Sequence, residues 1–354
     1  MAGLVAAARA TELGARVLVL EKGERPGGSM RLSSGVVWRY RELASFRAHC
    51  PGGDPSLQAL VFERLDADLA WLERLGAPVV ERGTGNPLTT GARFDPEGLT
   101  RALVGRVTGL RLGEPLRALD ATVPVLLATG GFQGDRELVR RYVTPEAEAL
   151  WLRANPWSRG DGLQLGLVAG AATSAGMDEF YGRALPAPPA RVTQAGFVPL
   201  AQLYARHARV VDDRGEEYPP DRVTWSETDV VQWLARRPGA CGWYVVARGA
   251  LGVRVRTRTV GEMVAAARAA GGTVEERGDA VAVRVAPGIT TTSGGLAVDV
   301  RTRVLGEDGR PLPGLYAAGG DVGGLSAGGY SSGLAAALVL GRVAAESALG
   351  LEPG

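Results

Sequence analysis

The chain alternates between two hydrophobic rhythms. Residues 3–13 form an alanine-rich run at helical spacing, and residues 15–20 form a short apolar strand, Arg16-Val17-Leu18-Val19-Leu20, closed by Glu21. A glycine turn, Pro26-Gly27-Gly28-Ser29, follows it. Leu65, Leu69, Leu72 and Leu75 recur at helical spacing, so residues 60–75 are expected to form an amphipathic helix ending at Gly76. Residues 123–128 are an apolar strand that runs into Thr129-Gly130-Gly131-Phe132, where the chain must turn sharply. The pattern then becomes irregular from 134 to 288, with a helix at 260–270 between two strand-like runs. It closes with a strand at 315–318, a glycine-rich loop at 319–333 and an alanine-rich helix at 334–349.

That order is a βα pattern at both ends with a different texture between them. It predicts an α/β chain in which a Rossmann-type domain, residues 1–133 and 289–354, is interrupted by an α+β cap domain at 134–288. The length of 354 residues, with 45% hydrophobic content, agrees with two cores rather than one.

Composition narrows the chemistry. The net charge is +2 and the arginines are scattered, which argues against nucleic acid as a partner. Cys50 and Cys241 lie far apart with no C-x-x-C pair, so neither a zinc site nor the dithiol of a pyridine-nucleotide disulfide reductase is expected. There is no apolar run long enough for a membrane span and no leader-like N-terminus, so the expected address is the cytoplasm. The 51 glycines gather where strands meet helices, as around a bound nucleotide.

In a dinucleotide-binding βαβ unit the third fingerprint glycine lets helix and strand pack closely, and an acid about 20 residues on binds the ribose. Gly3 and Glu21 stand 18 positions apart and fit that pair. On this reading the frame opens inside the motif: the first strand and first two glycines would precede Met1, an internal methionine taken as the start.

Further pieces occur in one order: Met1-Ala2-Gly3-Leu4 with Glu21-Lys22, Gly27-Gly28-Ser29 through Ser33-Ser34-Gly35, Ala128-Thr129-Gly130-Gly131-Phe132, Gly160-Asp161-Gly162, Thr292-Ser293-Gly294-Gly295-Leu296, and Pro313-Gly314-Leu315-Tyr316-Ala317-Ala318-Gly319. In these motifs the chain resembles the FAD-dependent oxidoreductase 2 family, which includes fumarate reductase and succinate dehydrogenase flavoproteins. The resemblance implies that Glu21 holds the adenosine ribose with Lys22 beside it. Amides around Gly27, Gly28, Ser29, Ser33, Ser34 and Gly35 would meet the pyrophosphate and flavin edge. Thr129, Gly130, Gly131 and Gly319 would line the cofactor, and Asp161 the flavin-side loop. The helix beginning at Gly333, with Leu334 and Ala335, would direct its amides at the flavin pyrimidine oxygen. Asp321 stands one place after Gly320, where relatives carry a ribitol-binding acid, and either substitutes for it or faces solvent. Relatives with covalent flavin use a histidine where this chain has Gly28-Ser29-Met30, so FAD is expected to be non-covalent. Relatives also place an extra strand and loop, edging the adenine, in the stretch that is short here from Leu99 to Val123.

Departures from the family's dicarboxylate clamp point elsewhere. Thr290-Thr291-Thr292 stands where fumarate reductases place a histidine, Tyr330 where they place an arginine, and Glu217-Tyr218 where they carry an arginine acid. The tyrosines are closer to the 3-oxosteroid dehydrogenase and tricarballylate dehydrogenase-like branch. The expected reaction moves a hydride between flavin N5 and a carbon–carbon bond next to a carbonyl of a small, steroid-like or other organic substrate. Tyr330, with the Leu334 N–H, would polarise the carbonyl, and Tyr218 or Tyr204 would handle the proton. Arg209 is a further substrate-binding candidate. The partners are then a small molecule and an electron donor or acceptor that the sequence does not specify. The alternative is a non-catalytic remnant of the same fold.

Overall fold

The computed structural model describes residues 1–120 and 122–352. The chain divides into two compact units, Met1–Asp135 with Asn155–Glu179 and Thr291–Gly354, and Arg136–Ala154 with Phe180–Thr290. The sequence places Asn155–Glu179 in the insert, whereas its contacts place it in the first unit. Isolated bridges from Ala171 to Gly306 and from Thr173 to Leu296 tie it there.

In the first unit the helix Ala2–Glu12 leads to the strand Val19–Glu21, which runs parallel to Leu110–Leu112. The expected strand at 15–20 shortens because its ladder starts only at Val19, whose N–H donates to the Gly109 carbonyl, while Leu18 is 55% exposed. A second ladder pairs Val125–Leu127 in parallel with Pro311–Ala317, and Arg303–Leu305 lies antiparallel on the other side. A three-stranded antiparallel sheet has Thr89–Phe94 between Val36–Tyr40 and Val79–Arg82.

The long helix Pro55–Arg74 starts earlier than its apolar spacing shows. The Asp54 side chain accepts the Ser56 and Leu57 N–H groups, and Pro55 takes the first turn, where no amide donor is needed. The last helix, Gly333–Ala348, is buried from Ala335 to Ser347, as expected of a helix apolar on every side. It meets the first helix closely at Gly341, where a Cβ would lie 2.8 Å from the Ala2 carbonyl oxygen. Arg342 pairs with buried Asp68, while Glu346 receives Arg9 at 2.9 Å and Arg64 at 3.1 Å, so charges join three helices inside the unit. Burial pushes the Asp68 carboxyl up to about 6, against the pull of Arg342 and Arg64.

The second unit is α+β. Its sheet runs Val274–Arg277, Ala280–Thr292, Gly242–Ala247, Arg209–Asp212, and the long strand also carries Trp151–Leu152 and Phe180–Pro186. Tyr244 faces Val283 and Val210 across the ladders, and this line forms the core with Val246, Val281 and Val285. The helix Val260–Ala269 opens with a reciprocal cap between Thr259 and Glu262. No helix among the described residues is long and apolar enough to cross a membrane.

Candidate functional site

Gly3 lies against the end of the strand Val125–Leu127: a Cβ on it would come within 3.3 Å of the Cβ of Ala128, the residue that follows the strand. Helix and strand thus meet at the closeness a fingerprint glycine provides. Glu21 closes its strand and accepts the Gly23 N–H at 2.7 Å, which leaves its second carboxylate oxygen for a ligand. Lys22 is ion-paired with Asp161 at the first turn of the helix Asp161–Val168.

The glycine turn adopts left-handed backbone at Gly27 and Gly28, at φ 104° and 53°. The Ser29 hydroxyl accepts the Asn155 N–H at 3.0 Å, clipping the turn to the loop before Asp161. Ser33 is spent locally: its hydroxyl donates to the Met30 carbonyl and accepts the Gly35 N–H. Ser34 is exposed. Gly35 is buried at φ 73°, with the Phe94 carbonyl oxygen where its side chain would stand.

Asp321 is 1% exposed and does not face solvent. Its carboxylate accepts the Thr129 N–H, the Gly130 N–H at 3.1 Å and the Thr129 hydroxyl at 2.9 Å, while Thr129 Oγ1 accepts the Gly162 N–H at 2.9 Å. One acid therefore gathers the strand-end turn, the start of the helix Asp161–Val168 and the loop after the last strand. Glycine is required around it: a Cβ at Gly320 would lie 2.6 Å from the Gly131 amide, and one at Gly319 2.9 Å from the Ala2 Cβ.

Burial pushes Asp321 up to about 7, although Thr129 and Gly130 donate to it. A native state that holds this proton more tightly than the unfolded chain loses stability as pH rises from about 4 to about 7. Asp321→Asn keeps the geometry: one oxygen can accept both amides while the new NH2 donates to Thr129. Its urea midpoint is expected to lose that falling component across the same range, and an unaltered profile would show that another group titrates.

At the start of the last helix, the Ser332 hydroxyl accepts the Ala335 N–H at 3.2 Å, leaving Gly333 and Leu334 as the open amides of the first turn. Tyr330 precedes this turn in an aromatic cluster. Its carbonyl accepts the Tyr40 hydroxyl at 2.8 Å and its ring meets Trp38 edge-on at 5.3 Å, while Tyr40 stacks on Phe46 and His49. Cys50 beside it is raised to about 12 by burial and is an inert thiol.

The remaining sequence candidates belong to the second unit. Tyr204 is fully buried with its ring against Tyr244, neither hydroxyl has a hydrogen-bond partner among the described residues, and burial drives both well above the usual phenol range. Buried Glu227 accepts the Ala205 N–H at 3.0 Å, and its carboxyl is pushed up to about 7 by burial. Tyr218 donates to Asp229 at 3.0 Å and is raised by burial and then by that neighbour. Arg209 is exposed, and its guanidinium is spent on Glu217 through two nitrogens.

The first unit fits an adenine dinucleotide. Gln133 Oε1 and Thr292 Oγ1 are buried without hydrogen-bond partners among the described residues, and both crowd the bare Gly131, where any side chain would strike them. Such oxygens need a hydroxyl- or N–H-bearing neighbour, and a ribityl chain is rich in hydroxyls. Neither was singled out for this role from the sequence, because they lie far apart along the chain and only folding brings them together. Ser332 did carry a local signal, a serine directly before a helix.

Comparison with known proteins agrees. The chain matches the family described as FAD binding domain over residues 76–334, and that described as NAD(P)-binding Rossmann-like domain over residues 1–62. Fumarate reductase (cytochrome) of Shewanella frigidimarina is 23% identical over an alignment covering 98% of this chain and 75% of that protein. NADH:acrylate oxidoreductase of Vibrio harveyi is 45% identical over 64 residues, 18% of this chain and 6% of that one. Among solved structures, 3-ketosteroid-Δ4-(5α)-dehydrogenase from Rhodococcus jostii RHA1, in complex with 4-androstene-3,17-dione, superposes with a TM-score of 0.72 at 19% identity, covering 98% of this chain and 94% of that one. The open conformation of a flavocytochrome c3 fumarate reductase gives 0.71 at 20% identity, covering 99% and 76%. The chain belongs to the FAD-binding domain family of FAD-dependent oxidoreductases.

Proposed function

We propose that this chain binds FAD non-covalently and oxidises or reduces a carbon–carbon bond adjacent to the carbonyl of a small, neutral organic substrate, ketones of the steroid type included. When bound, FAD supplies the hydride donor or acceptor at flavin N5. Glu21 holds the ribose hydroxyls, and the left-handed turn at Gly27 and Gly28 lets backbone amides approach the pyrophosphate. The Gly333 and Leu334 amides stabilise negative charge at the start of the last helix. The Tyr330 hydroxyl polarises the substrate carbonyl. Tyr204, closed inside its unit, and Arg209, spent on Glu217, support the fold in this scheme rather than react.

The observation that carries this reading is Tyr330, anchored through its backbone by Tyr40 directly before a helix turn with two open amides. No histidine stands at 290–292 and no arginine at 330 to balance a dicarboxylate, and two carboxylates without counter-ions are costly to desolvate. The neutral ketone in the Rhodococcus structure supports the same choice.

In anaerobic optical titrations, the FAD-loaded protein should be bleached by a saturated cyclic ketone, or recoloured after chemical reduction by a cyclic enone. Neither succinate nor fumarate should do this. Reaction with the dicarboxylates alone, or a colourless protein that FAD cannot reconstitute, overturns the proposal.

A further inference from the structure

We infer that Trp157 is the stacking surface for the adenine ring, and so sets the preference of this protein for FAD over shorter flavins. The inference rests on the FAD reading above and adds a residue to it.

The base is joined to the same ribose whose hydroxyls Glu21 would hold, so it must lie within a sugar's width of the end of the strand Val19–Glu21. Trp157 stands at that place. A Cβ on Gly23 would come within 2.8 Å of the Trp157 indole, so the indole lies over bare backbone two residues beyond Glu21. Trp157 is nevertheless 44% exposed, leaving aromatic surface open to a partner. The loop that carries it is also held in place. The Trp157 backbone N–H donates to Asn155 Oδ1 at 3.0 Å, and the Asn155 backbone N–H donates to the Ser29 hydroxyl in the glycine turn.

The strand beside Val19–Glu21 offers no such surface. After Leu110–Leu112, residues 113–120 are largely exposed, and residues 113–124 contain no aromatic side chain. Gly113 and Glu114 donate their amides to the Gly23 and Glu21 carbonyls, which fixes that edge as backbone. An adenine here finds its aromatic contact in Trp157.

Calorimetric titration of the apoprotein with FAD, ADP and FMN tests this. Trp157→Ala is expected to weaken FAD and ADP by about tenfold or more, in line with base-on-aromatic stacking, while FMN, which lacks adenine, binds as to the parent. Trp157→Phe should restore most of the FAD affinity. Unchanged FAD binding in Trp157→Ala, or parallel loss of FAD and FMN, overturns the inference, the latter because the indole would then merely prop its loop. A parent protein that binds none of the three overturns the FAD reading itself, and this inference with it.

Discussion

Tyr330→Phe is expected to lower turnover of an accepted ketone by about a hundredfold to a thousandfold, the usual cost of losing a hydrogen-bond donor aimed at developing oxyanion charge. The substitution removes only the hydroxyl. The edge-on contact with Trp38 involves the ring, and the Tyr40 bond is made to the Tyr330 backbone carbonyl, so both survive. Rapid-mixing measurement of flavin reduction isolates the chemical step, with FAD affinity and the urea midpoint measured alongside it. Turnover equal to the parent would leave Tyr330 as an aromatic packing residue and return the search to Tyr218.

Gly35→Ala should cost about 2–5 kcal/mol of stability, combining a left-handed backbone penalty of roughly 1–2 kcal/mol with overpacking of about 1–3 kcal/mol against a fixed carbonyl. The left-handed φ of 73° and the Phe94 carbonyl oxygen both oppose a methyl group, and Phe94 cannot retreat, because its own N–H is bonded to the Gly35 carbonyl at 3.0 Å. Gly14→Ala is the control: its φ is 85° but nothing lies within 4 Å of the added carbon, so only the backbone penalty of roughly 1–2 kcal/mol remains. Denaturant curves of the two variants separate the contributions, and equal losses would show that the collision is relieved by local movement.

Local chemistry made much of this legible. The helix starting at Gly333, the close approach at Gly3 and the sharp turn at Thr129-Gly130-Gly131 each follow from residues that are neighbours in sequence or separated by one helix and strand. What escaped was set by distant partners. Asp321 read equally well as a surface acid, since its donors Thr129 and Gly130 lie some 190 positions away. Tyr204 looked as reactive as Tyr218 because nothing around it in sequence announces Tyr244 or Glu227. The segment Asn155–Glu179 has no composition that distinguishes it from the insert, yet Ser29 and Leu296 hold it in the cofactor unit.

The charges enclosed between Ala2–Glu12, Pro55–Arg74 and Gly333–Ala348 bear on how this molecule tolerates its surroundings. Dissolved electrolyte weakens pairs such as Arg82–Glu73, which water reaches freely, but leaves those around Glu346 and Asp68 almost unscreened. Brine should thus loosen the rim before it disturbs the alignment of the helix that presents Gly333 and Leu334, whereas deleting one enclosed charge strands its partner in an apolar interior.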